Sequence, residues 1–577
     1  MADNDSGMGR VITVDNFSTE MAALDSSKPL HGLVDMGSNG IRFSISDLSL
    51  PASRLLTCIY RERVGISLYD ALHESGPDAR PFYFSPTTIA KVAQTLARFK
   101  SICDGYGVPG GNISVFATEA TRTAKNKDDM LSAIRDASGL TVDILSPAME
   151  SLFGAMGARS GYDQVDGLFM DLGGGSVQMT YVNSLVDPGY DVLAAKAAKS
   201  MPFGAAKLTA ALSETDSAHA TKEELRGLMK GAFEELTARF PQLKAQAEHH
   251  DGITIYFCGG GFRGYGSMLM HTDSIQPYPI PAIGGYVVPG NRFAKWREML
   301  HANNYDDGKI YGLSKRRRQQ FPAIVTVVQA LVEAVPKIKQ VVFCSGGNHE
   351  GVLFMKLSPE CREQHPLSFL PSKITIEESD GVDAVARFIL SSMPSGYPAV
   401  FSRHIIKYIA SNTWQDMGDP DSANSAKALH DPISGTLAGL PGMTHQARSV
   451  LALTMCHRWG SNLGPGDAKL AENLQALVGP ECSWWCRYIG TVAKTLAVVM
   501  PCRPASQVVL QKHVSIEANT SHGLGKKGHK VGIRMLIKLH PDVKGDLRSF
   551  DIEKSFEKIG KGLKVDWKVE AEVEFVS

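Results

Sequence analysis

Two short phrases carry the residue types that binding a phosphate group and a hard cation would require. They are LVDMGSNGIRFSI at 33–45 and LFMDLGGGSVQMTYV at 168–182. Each predicts a strand ending in an aspartate, a tight Gly/Ser turn and a second strand. The turns expose backbone N–H groups that can cradle phosphoryl oxygens, and Asp35 and Asp171 offer carboxylate oxygens to Mg²⁺. One such turn is common in ordinary hairpins, but two of the same design predict a duplicated fold with a cleft between its halves.

Further candidates follow other apolar strands. Glycines follow ITIYFC at 253–258 and QVVFC at 340–344, and an arginine lies in ATEATRTAKN at 117–126. Open α/β sheets bind ligands at the carboxyl ends of their strands, so we expect these segments to surround one cleft, although each alone is compatible with a plain turn. The candidate phosphate- or nucleotide-binding residues are Gly37, Ser38, Asn39, Arg122, Gly173, Gly174, Gly175, Ser176, Gln178, Gly259, Gly260, Gly261, Gly347, His349 and Glu350.

The elements that must position these residues alternate between strand and helix from Gly32 to about Phe354, which predicts an α/β fold. Strands are expected at 32–36, 41–47, 55–64, 113–118, 168–171, 253–258 and 340–344. Helices are expected at 86–105, 126–138, 148–160, 221–239 and 319–334.

The remaining chain has a different texture. Residues 1–27 lack a sustained pattern and are expected to form a mobile N-terminal arm. Residues 375–502 predict a mainly helical domain, with a Pro-, Gly- and Ser-rich stretch at 413–443 that indicates a loop insertion. Residues 505–577 predict a small α+β C-terminal module, in which VVLQKHVSIEA, GIRMLIKLH and VDWKVEAEVEFV alternate as strands do.

The motif order is specific enough to indicate a family. The segments DMGSN, ATEATRTAKN, ILSPAMESLFGAMGA, DLGGGSVQ, CGGGFRG and GGNHEGVLF together resemble the exopolyphosphatase/guanosine pentaphosphate phosphohydrolase (Ppx/GppA) family, over roughly residues 30–355. The resemblance implies a duplicated actin-like (ribonuclease H-like) two-lobe ATPase fold. Lobe I would span 28–147 and lobe II 148–357, with the last helices of lobe II free to return to lobe I. Two tail segments, HQARSVLALTMCHRWG and WWCRYIG, resemble only the fungal retrograde-regulation branch of the family.

The resemblance also implies residue roles. In phosphohydrolase members, the residue matching Glu150 positions or deprotonates the attacking water, and the residue matching Asp171 binds or orients the metal. The residues matching Asp35 and the first turn hold phosphate and metal-bound water. Phosphoryl transfer needs mainly positioning, charge neutralisation and one oriented nucleophile, so these residue types suit that chemistry. The alternative for Glu150 is a carboxylate placed at a helix N-terminus because the helix dipole favours it there.

Three departures from the family pattern weaken the hydrolytic machinery. Gln178 stands where the phosphohydrolases carry a glutamate, and it keeps the shape without the charge. Met149 precedes Glu150 where the family has a second acid, and His349 stands where hydrolases usually have arginine. A neutral imidazole is a weaker anion partner than a guanidinium. The combination favours a sensor over a fast enzyme.

Other charged clusters have plainer explanations. The run from Lys315 to Arg318 indicates either a nuclear import or polyphosphate contact, or a solvated helix start. His249-His250-Asp251 and His430-Asp431 do not predict a metal-phosphohydrolase site, because they fall in turn-like segments and lack supporting ligands.

Bulk properties limit the function further. Lys+Arg and Asp+Glu both number 60, so no net positive charge attracts nucleic acid, and no direct DNA binding is expected. Nine scattered cysteines indicate reduced thiols in a cytoplasmic or nuclear protein. The polar N-terminus does not indicate a secretory signal, and no apolar run of about 20 residues predicts a membrane span.

These observations lead to one leading hypothesis and two rivals. The leading hypothesis is a cytoplasmic signalling protein of mitochondria-to-nucleus retrograde regulation that binds ATP, a related nucleotide or polyphosphate together with Mg²⁺. By resemblance, its partners are protein regulators of retrograde transcription, including an inhibitor of transcription activators, and homodimer formation is left open. The first rival is an active Mg-dependent exopolyphosphatase or guanosine pentaphosphate phosphohydrolase. The second is a scaffold with a vestigial cleft.

Overall fold

The computed structural model describes residues 9–20, 28–73, 81–186, 189–214, 216–306, 308–369, 379–525, 528–545 and 551–576. The chain divides into two compact units, one from residues 1–272 and 283–369 and the other from residues 273–282 and 370–577. Among the described helices, none is long and apolar enough to cross a membrane.

The first unit begins with a six-stranded mixed sheet. Its strands are β1 (Val11–Ile12), β2 (Leu30–Gly37), β3 (Gly40–Asp47), β4 (Thr57–Val64), β5 (Ile113–Ala117) and β6 (Asp143–Leu145). In space they follow the order β1-β6-β5-β2-β3-β4. The β2–β3–β4 part is an antiparallel meander, whereas β2, β5, β6 and β1 run parallel.

A second sheet repeats this design. Its strands are β7 (Asp166–Leu172), β8 (Val177–Asn183), β9 (Lys199–Met201), β10 (Ile253–Cys258), β11 (Tyr286–Pro289) and β12 (Ile338–Phe343), in the order β11-β12-β10-β7-β8-β9. Here β7–β8–β9 is the meander and β7, β10 and β12 run parallel. The repeats differ at one edge, because β11 pairs antiparallel with β12. The duplicated two-lobe α/β fold predicted from the two phrases is therefore confirmed.

Helices connect and cover these sheets. In the first unit they are α1 (Val14–Glu20), α2 (Leu68–Leu72), α3 (Pro86–Gly105), α4 (Glu119–Thr123), α5 (Lys127–Ser138), α6 (Pro147–Arg159), α7 (Tyr190–Ala197), α8 (Ala205–Ser213), α9 (Ala218–Arg239), α10 (Pro241–Glu248), α11 (Gly259–His271), α12 (Gly290–Phe293), α13 (Trp296–Tyr305), α14 (Lys315–Gln319), α15 (Phe321–Ala334), α16 (Asn348–Lys356) and α17 (Pro359–Arg362).

Helix α6 shows how local sequence places a functional side chain. The Ser146 hydroxyl accepts a hydrogen bond from the Met149 N–H, and Pro147 occupies the first helical position, so the helix start is fixed and Glu150 falls in the first turn. Helix α6 packs against α16, and Phe153 and Phe354 belong to one buried core that also takes in strands of both sheets. This shared core fixes the two halves as walls of one cleft.

The second unit is mainly helical and ends in a small sheet. Its elements are α18 (Ser379–Ser391), α19 (Arg403–Asn412), α20 (Asp421–Ser434), α21 (His445–Arg458), α22 (Pro465–Val499), α23 (Gln507–His513), β13 (Val514–Leu524), β14 (Lys530–Leu539), α24 (Ile552–Glu557) and β15 (Trp567–Phe575). The helical backbone of α22 is interrupted at Gly479, where φ is +81°. The sheet order is β13-β14-β15, with β13 antiparallel and β15 parallel to β14.

Three expectations about local structure are wrong. Residues 9–20 do not form a mobile arm, because β1 pairs with β6 and α1 follows it; residues 1–8 and 21–27 lie outside the described residues. The expected loop insertion at 413–443 contains α20, which buries Leu429 and Ile433. The expected strand VVLQKHVSIEA begins as helix α23, since the Ser506 hydroxyl accepts from the Val509 N–H and caps a helix there.

Candidate functional site

A cleft of about 330 Å³ lies in the first unit, where the two Gly/Ser turns and several helix starts converge. Its lining is polar and rich in glycine. The predicted residues that line it are Asp35, Gly37, Ser38, Asn39, Glu150, Asp171, Gly173, Gly174, Gly175, Ser176, Gly259, Gly260 and Gly347. The other lining residues are Gly40, Arg42, Arg63, Thr118, Arg263, Gly264, Gly312, Ser314, Arg316, Arg317, Gln320 and Asn348.

The first turn, between β2 and β3, has its carbonyl groups held from behind. The Ser38 carbonyl accepts from the Tyr69 N–H at 2.9 Å and from the Ser67 hydroxyl at 3.3 Å. The Asn39 carbonyl accepts from the Arg63 guanidinium at 3.3 Å. Among the described residues, no protein acceptor pairs with the N–H groups of Ser38 and Asn39. The turn therefore offers backbone N–H donors of the kind that bind anions.

The second turn, between β7 and β8, is held in the same manner. The first residues of α8 donate to it, since Ala205 N–H bonds the Gly173 carbonyl and Ala206 N–H bonds the Gly174 carbonyl, both at 2.9 Å. Within the described part of the chain, the N–H groups of Gly174 and Gly175 have no protein acceptor. A Cβ on Gly174 would overlap the Asn39 amide, so the two turns meet across the cleft and this approach requires glycine.

Three carboxylates face the cleft. Asp35 and Asp171 lie near the C-terminal ends of the equivalent strands β2 and β7, and Glu150 lies in the first turn of α6. Burial raises the pKa of Asp35 and of Asp171, and it raises the pKa of Glu150 to about 7 although Arg122 opposes that rise. The charges of Asp35 and Asp171 raise the pKa of Glu150 further.

This donor set fits a divalent cation. Mg²⁺ prefers oxygen ligands, and a cation between these carboxylates would offset the burial, and the smaller mutual repulsion, that raise their pKa values. Asp35 and Asp171 are the residues that would hold such a cation, directly or through water.

Five of the described cleft residues are arginines: Arg42, Arg63, Arg263, Arg316 and Arg317. Burial, together with the four other guanidiniums, lowers the pKa of Arg317 to about 10. Burial, then Arg42, lowers the pKa of Arg263 as well. These side chains therefore repel one another, although Arg316 is paired with Asp70 at 2.8 Å, and Arg263 and Arg42 oppose the rise in the pKa of Asp171.

Two of these arginines face each other directly in the first sheet. Arg42 of β3 and Arg63 of β4 are register partners. Like charges at opposed positions destabilise an antiparallel pair. Burial and the charge of Arg42 lower the pKa of Arg63. Such a pair is expected where a bound anion compensates it.

Five predicted ligand residues take other positions. Arg122 lies behind Glu150, with its guanidinium 3.4 Å from Glu150 Oε2 and bonded to the Leu145 carbonyl, so it orients the carboxylate instead of lining the cleft. Gly261 lies in the first turn of α11 and packs against Leu172, which leaves no room for a Cβ.

The remaining three support the cleft from strand β8 and from the first turn of helix α16. The Gln178 amide donates to the Ser176 hydroxyl at 2.5 Å, and the side chain is 4% exposed. His349 Nε2 is 3.2 Å from both the Ser44 hydroxyl and the Leu33 carbonyl. Glu350 Oε2 accepts from the Gly347 N–H at 2.9 Å. Each of these side chains is hydrogen-bonded to a neighbouring group, which is why it does not line the cleft.

The duplication explains the position of Gln178. On the β2–β3 ladder Asp35 is opposite Arg42, and on the β7–β8 ladder Asp171 is opposite Gln178. A glutamate at 178 would put a second carboxylate beside Asp171. Gln178 removes that charge and keeps the hydrogen bond to the turn.

The basic run and the histidine cluster also have defined places. Arg316 and Arg317 line the cleft, whereas the Arg318 guanidinium donates to the carbonyls of Asn303, Asp306 and Gly308. His249, His250 and Asp251 lie together in an exposed turn, with ligand atoms within 4.8 Å of one another. That turn precedes β10, whereas the cleft glycines follow it, so the cluster lies at the opposite end of the strand.

The arginines are what sequence reasoning largely missed. For Arg316 and Arg317 the basic run predicts a polyphosphate contact only as one of several alternatives. Arg42 and Arg263 lie inside the segments LVDMGSNGIRFSI and CGGGFRG, so a search of these motifs for cations could have found them. Arg63 has no local signal, because only strand register places it opposite Arg42.

Comparison with known proteins identifies the class. A model of the Ppx/GppA phosphatase family matches residues 48–360, and a model of the RTG2 C-terminal domain matches residues 376–576. The chain therefore belongs to the Ppx/GppA phosphatase family, as the motif order predicted.

Individual relatives refine this placement. The chain is 32% identical over 523 residues to retrograde regulation protein 2 of Saccharomyces cerevisiae, which covers 87% of this chain and 86% of the yeast protein. It is 28% identical over 180 residues to exopolyphosphatase 1 of Mycobacterium tuberculosis, or 31% of this chain and 47% of that protein. A crystal structure of an exopolyphosphatase from Cytophaga hutchinsonii is 20% identical and covers 57% of this chain and 99% of its own, with a TM-score of 0.42.

Proposed function

We propose that this protein is a regulator in mitochondria-to-nucleus retrograde signalling that binds a phosphate-rich ligand, ATP or a related nucleotide or polyphosphate, with Mg²⁺ in the cleft. The observation that carries the binding part is the register pair Arg42 and Arg63 within a group of five cleft arginines. Mutually repelling guanidiniums destabilise the free protein, and a polyanion would convert that repulsion into charge-assisted hydrogen bonds.

The parts of the cleft divide the ligand between them. The two turns would cradle phosphoryl oxygens through backbone N–H groups, and Asp35 and Asp171 would hold Mg²⁺, which neutralises phosphate charge when bound. Because one turn comes from each half of the duplicated fold, a ligand that engages both would favour a closer arrangement of the halves. We assign the signalling state of the protein to this closer arrangement of the two halves.

The regulatory part rests on the similarity to the yeast protein over most of both chains. On this basis the protein acts in the cytoplasm, and its partners are protein regulators of retrograde transcription, including an inhibitor of transcription activators. Expression of this chain in yeast that lacks retrograde regulation protein 2 tests the role. Restored expression of retrograde-response genes is expected, and failure despite normal protein levels would argue against it.

Calorimetric titration tests the binding part. The folded wild-type protein is titrated with Mg-ATP and, separately, with polyphosphate and Mg²⁺. We expect binding of at least one ligand, weakened by Arg63→Gln and unchanged by Arg61→Gln. Arg61 is a matched control, since it lies two residues away on the same strand and does not line the cleft. A folded wild-type protein that binds neither ligand would refute the proposal.

A second function, slow phosphohydrolysis, is favoured by Glu150. Its pKa of about 7 and its place in the cleft suit a group that orients or deprotonates a water molecule at neutral pH. Mg-dependent phosphate release should then disappear in Glu150→Gln. If phosphate release appears only in Gln178→Glu, the natural protein is a sensor and not an enzyme. If variants that no longer bind the phosphate-rich ligand still regulate their protein partners, the protein acts as a scaffold.

A further inference from the structure

The second unit contains a cavity of about 430 Å³, separate from the cleft of the first unit. It is formed by α19, the turn that follows it, α20 and α21. Small-molecule sites have volumes of roughly 300–1,000 Å³ and combine an apolar body with a few polar groups. Leu451, Met455 and Trp459 give this cavity a buried apolar floor, so it is large and dry enough to hold an alkyl chain.

The walls are held in place by hydrogen bonds. The Arg458 guanidinium stacks on Trp459 with 4.1 Å to the ring centroid, and its Nε donates to the Thr413 carbonyl at 3.0 Å. The Asn424 amide donates to the Asp416 carbonyl at 2.9 Å. Asp416 adopts a left-handed φ of +63°, which these contacts stabilise. The cavity is thus preformed.

The charged groups of the described wall residues are two carboxylates, Asp416 and Asp431, and one ammonium, Lys427. Asp416 is paired with Lys427. Asp431 Oδ1 accepts from the N–H and hydroxyl of Thr436, at 2.9 and 2.7 Å, whereas Oδ2 receives only the Tyr408 hydroxyl at 3.4 Å. Among the described residues, no cation forms a salt bridge with Asp431. One carboxylate oxygen at the wall therefore keeps most of its hydrogen-bonding capacity.

Backbone chemistry adds a second acceptor. Pro432 lies inside α20 and has no N–H, so the carbonyl of Ala428 lacks its usual donor four residues later. Ala428 lines the cavity. A ligand that fits must bring donors and positive charge to one end and an apolar body to the other.

We propose that this cavity binds a primary alkylammonium group, with its N–H donors on Asp431 Oδ2 and the Ala428 carbonyl and its alkyl chain on the apolar floor. An ammonium offers three donors and no acceptor, which matches the wall. An anionic ligand would meet two carboxylates, of which only Asp416 is paired with a cation in the described part of the chain, and a neutral apolar ligand would leave Asp431 Oδ2 with only the 3.4 Å contact to the Tyr408 hydroxyl. The same chemistry could come from a free amine or from a lysine side chain.

Ligand-observed NMR with the full-length protein tests this proposal. The probes are n-pentylammonium, 1,5-diaminopentane, Nα-acetyl-lysine amide, and the matched controls n-pentanol and pentanoate. We expect saturation transfer to at least one ammonium and none to the controls. Binding of the amines alone identifies a free amine as the ligand, and binding of the lysine derivative identifies a side chain. Equal transfer to pentanol and pentylammonium, or none to any ammonium, would overturn the proposal.

Variants locate the site. Asp431→Asn keeps the shape and the Thr436 contact, and should weaken ammonium binding about tenfold or more by removing a charge-assisted hydrogen bond. Asp383→Asn is the matched control, because Asp383 pairs with Lys407 in the same unit and does not line the cavity. Ala428→Lys, which favours helix and places a tethered ammonium at the wall, should block binding even if Asp431→Asn folds poorly. Wild-type affinity in Ala428→Lys would place the amine elsewhere and refute the assignment.

Discussion

Replacement of Arg317 by glutamine should stabilise the ligand-free protein and weaken its response to polyanions. Burial and four neighbouring guanidiniums lower the pKa of this arginine to about 10. The ordinary value is 12.5, so keeping the charge in the folded state costs roughly 3 kcal/mol at about 1.4 kcal/mol for each pKa unit. Because the folded-state pKa is lowered, the full cost applies below pH 10 and disappears only as the pH rises toward the unfolded value.

The substitution also removes one favourable contact. Arg317 Nη1 donates to Gln320 Oε1 at 3.2 Å, and Gln320 is buried. Losing that bond costs about 1 kcal/mol, which leaves a net stabilisation of about 2 kcal/mol. Domains of 150–250 residues shift their Tm by roughly 2–4 °C per kcal/mol, and the first unit is larger, so we expect a rise of about 4 °C.

The assay is thermal unfolding with and without polyphosphate, at low and high ionic strength. Wild-type protein should gain more stability than Arg317→Gln from polyphosphate. It should also gain more from added salt, since salt screens the repulsion between the guanidiniums. Arg61→Gln controls for a charge lost on the same surface. A lower Tm for ligand-free Arg317→Gln than for wild type, with an unchanged response to polyphosphate, would refute the claim that these arginines are held in repulsion for an anion.

Three further outcomes are expected. In metal-free buffer, the raised pKa of Glu150 means that its contribution to the free energy of unfolding is complete below pH 4.5 and is lost as the pH rises through 7, a change of roughly 3 kcal/mol. Glu150→Gln should abolish this change in denaturant titrations carried out over a series of pH values. An identical pH profile in the variant would contradict this. Gly204→Ala would push a Cβ into the backbone of the second turn at Ser176, so it should weaken polyphosphate binding in calorimetry. The control Gly227→Ala, which has open space around it, should leave binding unchanged. Equal affinities of the two variants would show that the turn does not contact the ligand. Arg54→Met should lower the free energy of unfolding, measured in urea, by about 3–5 kcal/mol. The reason is that the buried guanidinium donates to four backbone carbonyls at 160–162 and 362–364. A loss under about 1 kcal/mol would show that these carbonyls find other donors.

Local signals account for the parts of the fold that the sequence predicts well. Helix α3 begins where Ser85 and Pro86 supply a cap and a first position, and Val92, Leu96 and Phe99 repeat at helical spacing on its buried face. The two strand–turn–strand phrases are equally local, since an apolar run, an aspartate and glycines specify them. Such signals need no information about distant residues, and they gave both the duplication and the cleft.

The misplaced elements show what local patterns lack. Strand β1 has only two residues and exists because β6 offers an edge, so no periodicity could indicate it. Helix α20 lies in a stretch whose composition is typical of loops, and burial of Leu429 and Ile433 overrides that composition. At α23, both a strand and a helix fit the apolar pattern, and the Ser506 cap decides between them.

Site residues fail for a related reason. His349 and Glu350 follow a strand and a glycine turn, as a ligand residue would, yet their side chains are bonded to Ser44, Leu33 and Gly347. Arg63 follows no motif at all and reaches the cleft by cross-strand pairing. Sequence therefore predicted the backbone of the site, the turns, better than the charges around it, because charges come from register and packing.

The distribution of charge separates binding from catalysis in this cleft. Repulsion among the arginines, which Asp70 and the cleft carboxylates offset only in part, raises the free energy of the empty protein, so the arginines argue for an anionic ligand whatever happens to it afterwards. Hydrolysis needs a different group, Glu150, and the matching of Asp171 with Gln178 leaves the second half of the fold with one carboxylate where a glutamate would have given two. If the protein senses its ligand, Arg317→Gln should impair regulation while Glu150→Gln leaves it intact. If turnover itself is the signal, both substitutions should impair regulation equally, so the pair distinguishes the two functions in one experiment.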